Sequence, residues 1–273
     1  MARALLTLLF AAFVLFLYGP IITIVLLAFG GPDSGLTFPM RGVSLHWFGQ
    51  LFTTQSVGDL GAALRRTAGL AGLVTLVTVC AAFAAGLGFR RRFRGSGALF
   101  ALALASLIVP SILVSLGVGL LWSQLGLDAS PWTSGFGAQL TWTLPFGLLL
   151  TMAVLNRFDG RWEEAARDLG ATPWQSFRLV VLPILLPSII GIALFSFTLS
   201  WDEFPRTLLT AGGDNTLPLE IYGMTTNVTS PVLYALGAAT TGVSLLVIAG
   251  ALVAIRYFVP NNRSPASPTP GRM

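Results

Sequence analysis

Six long apolar runs constrain this chain more than any other feature of its sequence. They lie at about residues 5–29, 67–89, 98–125, 133–156, 183–204 and 232–258. A helix that crosses a bilayer needs roughly 17 to 25 mainly apolar residues, and backbone within lipid must satisfy its own hydrogen bonds. With 54% apolar and only 10% charged residues, residues 1–260 are predicted to form an all-α integral membrane domain of six transmembrane helices.

The first apolar run is predicted to be a retained span. It continues well beyond the 7 to 15 apolar residues of a cleavable signal peptide.

Basic residues then predict the orientation, because cytoplasmic loops carry an excess of them. The chain has 16 arginines and no lysine. If the N-terminus lies inside, the only arginines outside are Arg41, Arg65, Arg66 and Arg206. Both termini are therefore predicted to be cytoplasmic, in a plasma membrane.

Several classes of enzyme are excluded by composition. A phosphate-binding loop of the Walker type needs a lysine, so this chain has no such ATPase site of its own. Its one histidine, His46, cannot form a paired-histidine zinc site, and its one cysteine, Cys80, cannot form a disulfide within the chain. No metal site is predicted. A secondary transporter remains an alternative, although the spans contain almost no ionisable residue before Asp202 to couple to an ion.

A short charged stretch interrupts the apolar chain between the fourth and fifth spans. Apolar side chains recur there with helical spacing at Trp162, Ala165, Ala166 and Leu169. Glu163, Glu164, Arg167 and Asp168 occupy the other faces. Moving such charges into lipid costs roughly 2.5 to 3.5 kcal/mol each, so this amphipathic helix is predicted to lie in the cytoplasm.

A second helix is predicted to follow directly. Gly170 stands where a helix often ends in a left-handed residue. Thr172, Pro173 and Gln175 then have the spacing of an N-terminal cap, a first-turn proline and a capping-box glutamine. This helix leads through residues 177–183 into the fifth span. Periodicity alone leaves two interpretations open, a helical loop resting on lipid headgroups or a docking element for a partner protein.

The same stretch resembles the EAA signature of ABC-importer permeases, the MetI-like type I fold. Glu164, Ala165, Ala166, Gly170 and the Leu182–Pro183 pair match that signature at its spacing, with Val180 in place of an isoleucine. The resemblance implies that the loop 157–182 couples the permease to an ATPase. The implied coupling residues are Glu163, Glu164, Ala165, Ala166, Gly170, Leu182 and Pro183.

A second segment, Leu199 to Met224, resembles the corresponding part of the spermidine/putrescine-type permeases. Asp202, Glu203 and the run from Thr216 to Tyr222 carry the resemblance. It implies half of a heterodimeric pore in a bacterial inner membrane, with a second permease, two ATPase subunits that bind ATP and Mg, and an external solute-binding protein. Sister permeases for iron(III), thiamine or an aminoalkylphosphonate share this architecture and remain alternatives.

Four residues at the outer end of the fifth span form the predicted substrate pathway: Ser200, Trp201, Asp202 and Glu203. The helix dipole disfavours acids at a helix C-terminus, so the two carboxylates need another reason to be there. They either attract a cation at the pore mouth or are solvated boundary residues, with Arg206 as a partner. The remaining segment, 261–273, is rich in proline and serine and is predicted to be disordered.

Overall fold

The computed structural model of the protein describes residues 2–53, 59–91, 93–227 and 230–258. The predicted tail 261–273 lies outside the described residues. Eleven α-helices are described in chain order: α1 Ala2–Ala28, α2 His46–Thr53, α3 Leu60–Phe89, α4 Ser96–Ala105, α5 Ser111–Gln124, α6 Phe136–Leu155, α7 Arg161–Asp168, α8 Pro173–Ser176, α9 Leu182–Trp201, α10 Leu217–Asn227 and α11 Val232–Phe258. Short π-helical turns, Pro131–Gly135 and Phe177–Val181, lead directly into α6 and α9.

Five helical stretches are long and apolar enough to cross a membrane. They are Arg3–Ala28, Leu60–Phe89, Pro131–Leu155, Pro173–Trp201 and Val232–Tyr257. Each corresponds to a predicted span, and the all-α fold is confirmed. The second span begins several residues earlier than predicted, at Leu60.

The third predicted span, 98–125, is not one helix. It consists of α4 and α5, separated by residues 106–110. Pro110 precedes α5 with φ −55° and ψ 131°, outside the helical region. Proline offers no backbone N–H and disfavours helical geometry in the residue before it, so α4, which ends at Ala105, does not continue through Pro110 into α5. The structure therefore has a complete break between two helices at this point.

The core of the bundle is formed by α3, which packs along both α6 and α9. Small residues allow the close approach of α3 and α6: a Cβ on Gly147 would lie 2.7 Å from the Thr78 side chain and 3.0 Å from the Ala82 Cβ. At the same contact the Thr78 hydroxyl donates to the Thr143 hydroxyl at 3.0 Å. Small side chains and interhelical hydroxyl bonds are how membrane helices associate without a hydrophobic driving force.

Two apolar clusters lie toward opposite ends of this bundle. One contains Phe83, Leu155, Val181 and Leu185, and joins the ends of α3 and α6 to the start of α9. The other joins the end of α9 to α10 and α11 through Trp201, Leu217, Met224, Val232 and Leu236, among others. The helix α1 packs on α11 and is largely exposed on its other sides.

The segment between α9 and α10 is irregular and folds against α5. The Ser115 hydroxyl donates to the Arg206 carbonyl and accepts from the Leu209 amide, both at 3.0 Å. The Ser134 hydroxyl donates to the Thr210 carbonyl at 2.6 Å. Gly119 permits the approach, since a Cβ there would lie 2.7 Å from the Leu209 carbonyl oxygen. Serine hydroxyls thus satisfy backbone groups that lipid could not.

Candidate functional site

The candidate coupling element consists of α7, α8 and the turn between them. The Gly170 amide donates to the Arg167 carbonyl at 2.8 Å and the Ala171 amide to the Ala166 carbonyl at 3.0 Å. With Gly170 at φ +84°, these bonds form a Schellman motif. The positive φ predicted for this glycine from the sequence is therefore present.

The start of α8 has the predicted capping box. The Gln175 amide donates to the Thr172 hydroxyl at 3.3 Å, and the Thr172 amide donates to the Gln175 side-chain oxygen at 2.8 Å. After α8, the Leu182 amide reaches back to the Phe177 carbonyl. This wider turn directly precedes Pro183, which has no amide hydrogen to continue an ordinary helical ladder. Of the coupling element, α8 continues through this turn into α9 as one helical stretch, Pro173–Trp201.

Much of the apolar face of α7 is exposed. Trp162 is 59% exposed and Leu169 is 90% exposed, and Trp174 on α8 is 64% exposed. Glu164, Ala165 and Gly170 are exposed as well, while Ala166 is half-buried. The described residues of this chain therefore leave most of the apolar face of its amphipathic helix uncovered. Leu182 and Pro183 stand at the start of α9, separate from the predicted coupling residues on α7. Leu182 is half-buried and Pro183 is exposed.

Glu163 is partly buried, whereas Glu164 is exposed. Its carboxylate oxygen Oε1 accepts from the Arg90 guanidinium at 2.6 Å, and its other oxygen lies 3.8 Å from Arg167 Nη2. Only 17% of its side chain is exposed. Both glutamates belong to the predicted coupling residues, but in the structure only Glu163 points toward the end of α3. The partner, Arg90, lies 73 residues earlier in the chain.

The two acids at the end of α9 are also separated by the structure. Asp202 is exposed, and within the described part of the chain it has no ion pair. Glu203 is 3% exposed, and one of its carboxylate oxygens lies 3.7 Å from Arg206 Nη1. The other oxygen accepts from the Arg206 amide at 2.7 Å. The interpretation of both acids as solvated boundary residues is therefore wrong for Glu203, although its predicted partner is present.

Arg206 is itself 3% exposed and has partners on two helices. Its guanidinium donates to Ser111 at the start of α5 at 2.8 Å, and to Thr141 of α6 at 3.3 Å. The guanidinium carbon lies 4.5 Å from the centre of the Trp142 ring, within the range of a cation–π contact. These contacts were not predicted from the sequence. Their one indication there is that an arginine follows two adjacent acids by three residues in a chain with few charges.

The remaining predicted pathway residues, Ser200 and Trp201, are buried. The Ser200 hydroxyl donates to the Gln139 side-chain oxygen of α6, and Trp201 stacks on Phe197 with ring centres 5.6 Å apart. Both therefore contribute to helix packing in this chain. Of the four predicted pathway residues, only Asp202 is exposed. Within the described residues there is no group of three or more histidine, cysteine, aspartate or glutamate side chains that could hold a metal ion.

The fold is a bundle of apolar spans with an exposed amphipathic helix between two of them. Residues 77–264 match the family described as binding-protein-dependent transport system inner membrane component. The chain belongs to this family of ABC-importer permeases, which are multi-pass proteins of the inner membrane. It is therefore a transporter subunit, and the alternatives of a secondary transporter or an enzyme are set aside.

Individual relatives agree with the family. The chain is 30% identical to the spermidine/putrescine transport system permease protein PotC of Haemophilus influenzae, over 85% of this chain and 89% of that protein. It is also 30% identical to the putrescine transport system permease protein PotI of Escherichia coli, over 83% and 82% of the two chains.

A solved structure confirms the fold. A chain of a bacterial ABC transporter involved in the import of the acidic polysaccharide alginate superimposes with a TM-score of 0.70. The match covers 95% of this chain and 96% of that one, at 19% sequence identity. Another solved complex of the alginate transporter includes a periplasmic protein with bound alginate pentasaccharide, and its matching chain gives a TM-score of 0.61. An external binding protein is thus among the kinds of partner found with this fold.

Proposed function

We propose that this chain forms one half of the translocation pathway of an ATP-driven importer for polyamines such as spermidine and putrescine. It pairs with a second permease, two cytoplasmic ATPase subunits that bind ATP and Mg, and an external solute-binding protein. Both termini lie in the cytoplasm, and the loop 157–182 faces the ATPase. ATP binding moves α7, and the spans alternate between inward-open and outward-open states.

The observation that carries the choice of solute is the similarity to polyamine permeases along most of the chain. Permeases named for spermidine/putrescine or putrescine transport are 30% identical over 83% to 85% of it. The exposed carboxylate of Asp202 at the end of α9 supports a cationic solute, because an unpaired negative charge attracts cations. Glu203 offers no such support, since Arg206 already neutralises it.

The assignment of α7 as the docking helix rests on its exposed apolar face. Trp162 and Leu169 are large apolar side chains on the same face of α7 and its C-cap, and a soluble surface rarely exposes two such side chains together. A groove in a partner protein would bury them, as in other cases where an amphipathic helix binds a groove. The exposed Glu164 adds a charged group beside this face, available for an ion pair across the interface.

Uptake by the whole complex tests the proposed solute. We expect ATP-dependent accumulation of labelled spermidine or putrescine in liposomes, with ATP on the ATPase side and the binding protein on the other. Iron(III), thiamine and an aminoalkylphosphonate serve as competing solutes. If no polyamine accumulates while the binding protein still stimulates ATP hydrolysis, the importer architecture stands and the polyamine assignment is wrong.

Asp202→Asn is expected to weaken uptake of a polyamine. Removing one unscreened attraction between unit charges about 4 Å apart in water costs roughly 1 kcal/mol. The KM for uptake should then rise about fivefold, since 1.4 kcal/mol corresponds to about tenfold. Asp33→Asn is the matched control, because Asp33 is also exposed and lies in the first predicted outer loop. An unchanged KM in a normally assembled Asp202→Asn complex would exclude this contact.

A further inference from the structure

An ion pair connects α7 to the inner end of α3. Arg90 is the residue that ends α3, and its guanidinium lies 2.6 Å from Glu163 in the first turn of α7. The same guanidinium lies 5.5 Å from the centre of the Phe158 ring, in the connection between α6 and α7. Arg90 therefore contacts both α7 and the segment that leads into it.

Within the described residues, α3 and α7 do not pack closely against each other. An open cavity of about 620 Å³ lies between them, lined by Leu87, Gly88, Arg90, Arg91, Glu163 and Arg167. The helix α7 instead contacts α8 and the π-helical turn Phe177–Val181, which follow Gly170 in the chain. Among the described residues, the pair of Arg90 and Glu163 thus bridges the open space between α3 and α7.

The geometry points to a transmission role for this pair. We propose that Arg90 is a positioning residue that holds the first turn of α7 on the inner end of α3, so that movement of α7 also moves α3. Because α3 packs along α6 and α9, the motion reaches the centre of the bundle. This inference rests on the proposed function, in which α7 is the helix that binds the ATPase.

The pair of Arg90 and Glu163 is less exposed to solvent than an ordinary surface ion pair. Exposed pairs between long side chains contribute little, because solvent screens them. Here the side chains of Arg90 and Glu163 are 30% and 17% exposed. A short, charge-assisted hydrogen bond in partial shelter is stronger and more directional than a solvated pair. Arg91, the next residue, is exposed and forms no ion pair with any described residue, which makes it a natural control.

A double-mutant cycle in the complete complex in liposomes tests the inference. The variants are Arg90→Gln, Glu163→Gln and the two combined, with Arg91→Gln as a control for loss of one positive charge. The measured quantity is the number of ATP molecules hydrolysed per solute imported, together with the yield of assembled complex. We expect each single variant to raise this ratio about fivefold and the combined variant to raise it by the same factor, because residues that act through one contact are not additive.

The possible outcomes separate this inference from the proposed function. Multiplicative effects in the combined variant, an unchanged ratio in the single variants, or an equal effect of Arg91→Gln would each overturn it. Gly170→Leu, which alters the docking turn itself, is measured alongside. If Gly170→Leu raises the ratio and the pair variants do not, α7 still docks but Arg90 does not transmit. If none of the variants raises the ratio, the assignment of α7 as the docking helix is wrong too.

Discussion

Glu203→Gln is expected to destabilise the permease far more than Asp202→Asn, although the two acids are neighbours. Removing the charge of Glu203 leaves the Arg206 guanidinium, which is 3% exposed, without its counter-charge. Breaking a buried ion pair from one side costs about 3 to 5 kcal/mol. The glutamine oxygen can still accept from the Arg206 amide, so the loss is mainly electrostatic. Asp202→Asn changes a solvated group and should alter stability by about 0.5 kcal/mol or less.

Thermal unfolding of the purified complex, followed by the fraction that stays assembled, measures this difference. The combined variant Glu203→Gln with Arg206→Met removes both charges and should recover much of the loss, because a neutral pair leaves no buried charge uncompensated. Full recovery is not expected, since Arg206 also donates to Ser111 and Thr141. Equal stability of Glu203→Gln and Asp202→Asn would show that the pair of Glu203 and Arg206 is not essential to the fold.

This contrast shows that two adjacent acids at the end of a membrane span can have different roles. The sequence alone does not indicate whether Asp202 or Glu203 is the better candidate to bind a cation. The chain after them turns back against α5, and that turn carries Arg206 to Glu203 while Asp202 stays exposed. Neutralising both acids together would mix a structural defect with a transport defect. Separate variants are needed to assign a role to either one.

Local features of the fold were predictable because they depend on neighbouring residues. The Schellman turn at Gly170 and the capping box of Thr172 and Gln175 need only a few positions in sequence. The apolar spans need only length and composition. Pro110 shows the limit of such reasoning: proline predicts a disturbed helix, but whether the helix kinks or breaks depends on what packs around it.

Contacts between distant residues were not predictable in this way. Ser115 is a polar residue in an apolar helix, and nothing near it in sequence indicates that it binds the backbone of residues 206 and 209. Arg90 stands in an arginine-rich turn that the positive-inside rule already explains. Its specific contact with Glu163 depends on how α3 and α7 are placed by the whole bundle. Side-chain pairing across the fold therefore requires the structure.

Gly170→Leu is expected to uncouple ATP hydrolysis from transport. Gly170 has φ +84°, and a left-handed conformation costs an ordinary L-residue roughly 1 to 2 kcal/mol. Space is not the limitation, because apart from its chain neighbours no described residue lies within 4 Å of a Cβ built there. A leucine would relieve the strain by changing the turn, and α7 would then leave its angle to α8. The fraction of complexes in which α7 can dock should then fall about tenfold, since 1.4 kcal/mol corresponds to about tenfold.

Gly160→Leu at the other end of α7 provides the matched control. Gly160 has φ −60° and also has open space around its Cβ, so the same side chain is added without backbone strain. In liposomes, Gly170→Leu should reduce transport about tenfold. ATP hydrolysis should persist, but the loaded binding protein should no longer stimulate it. Glu164→Ala should also lower transport relative to ATP hydrolysis. Gly160→Leu should keep most of its coupled transport. Coupled turnover at the normal rate in both Gly170→Leu and Glu164→Ala would mean that another surface of the permease receives the ATPase.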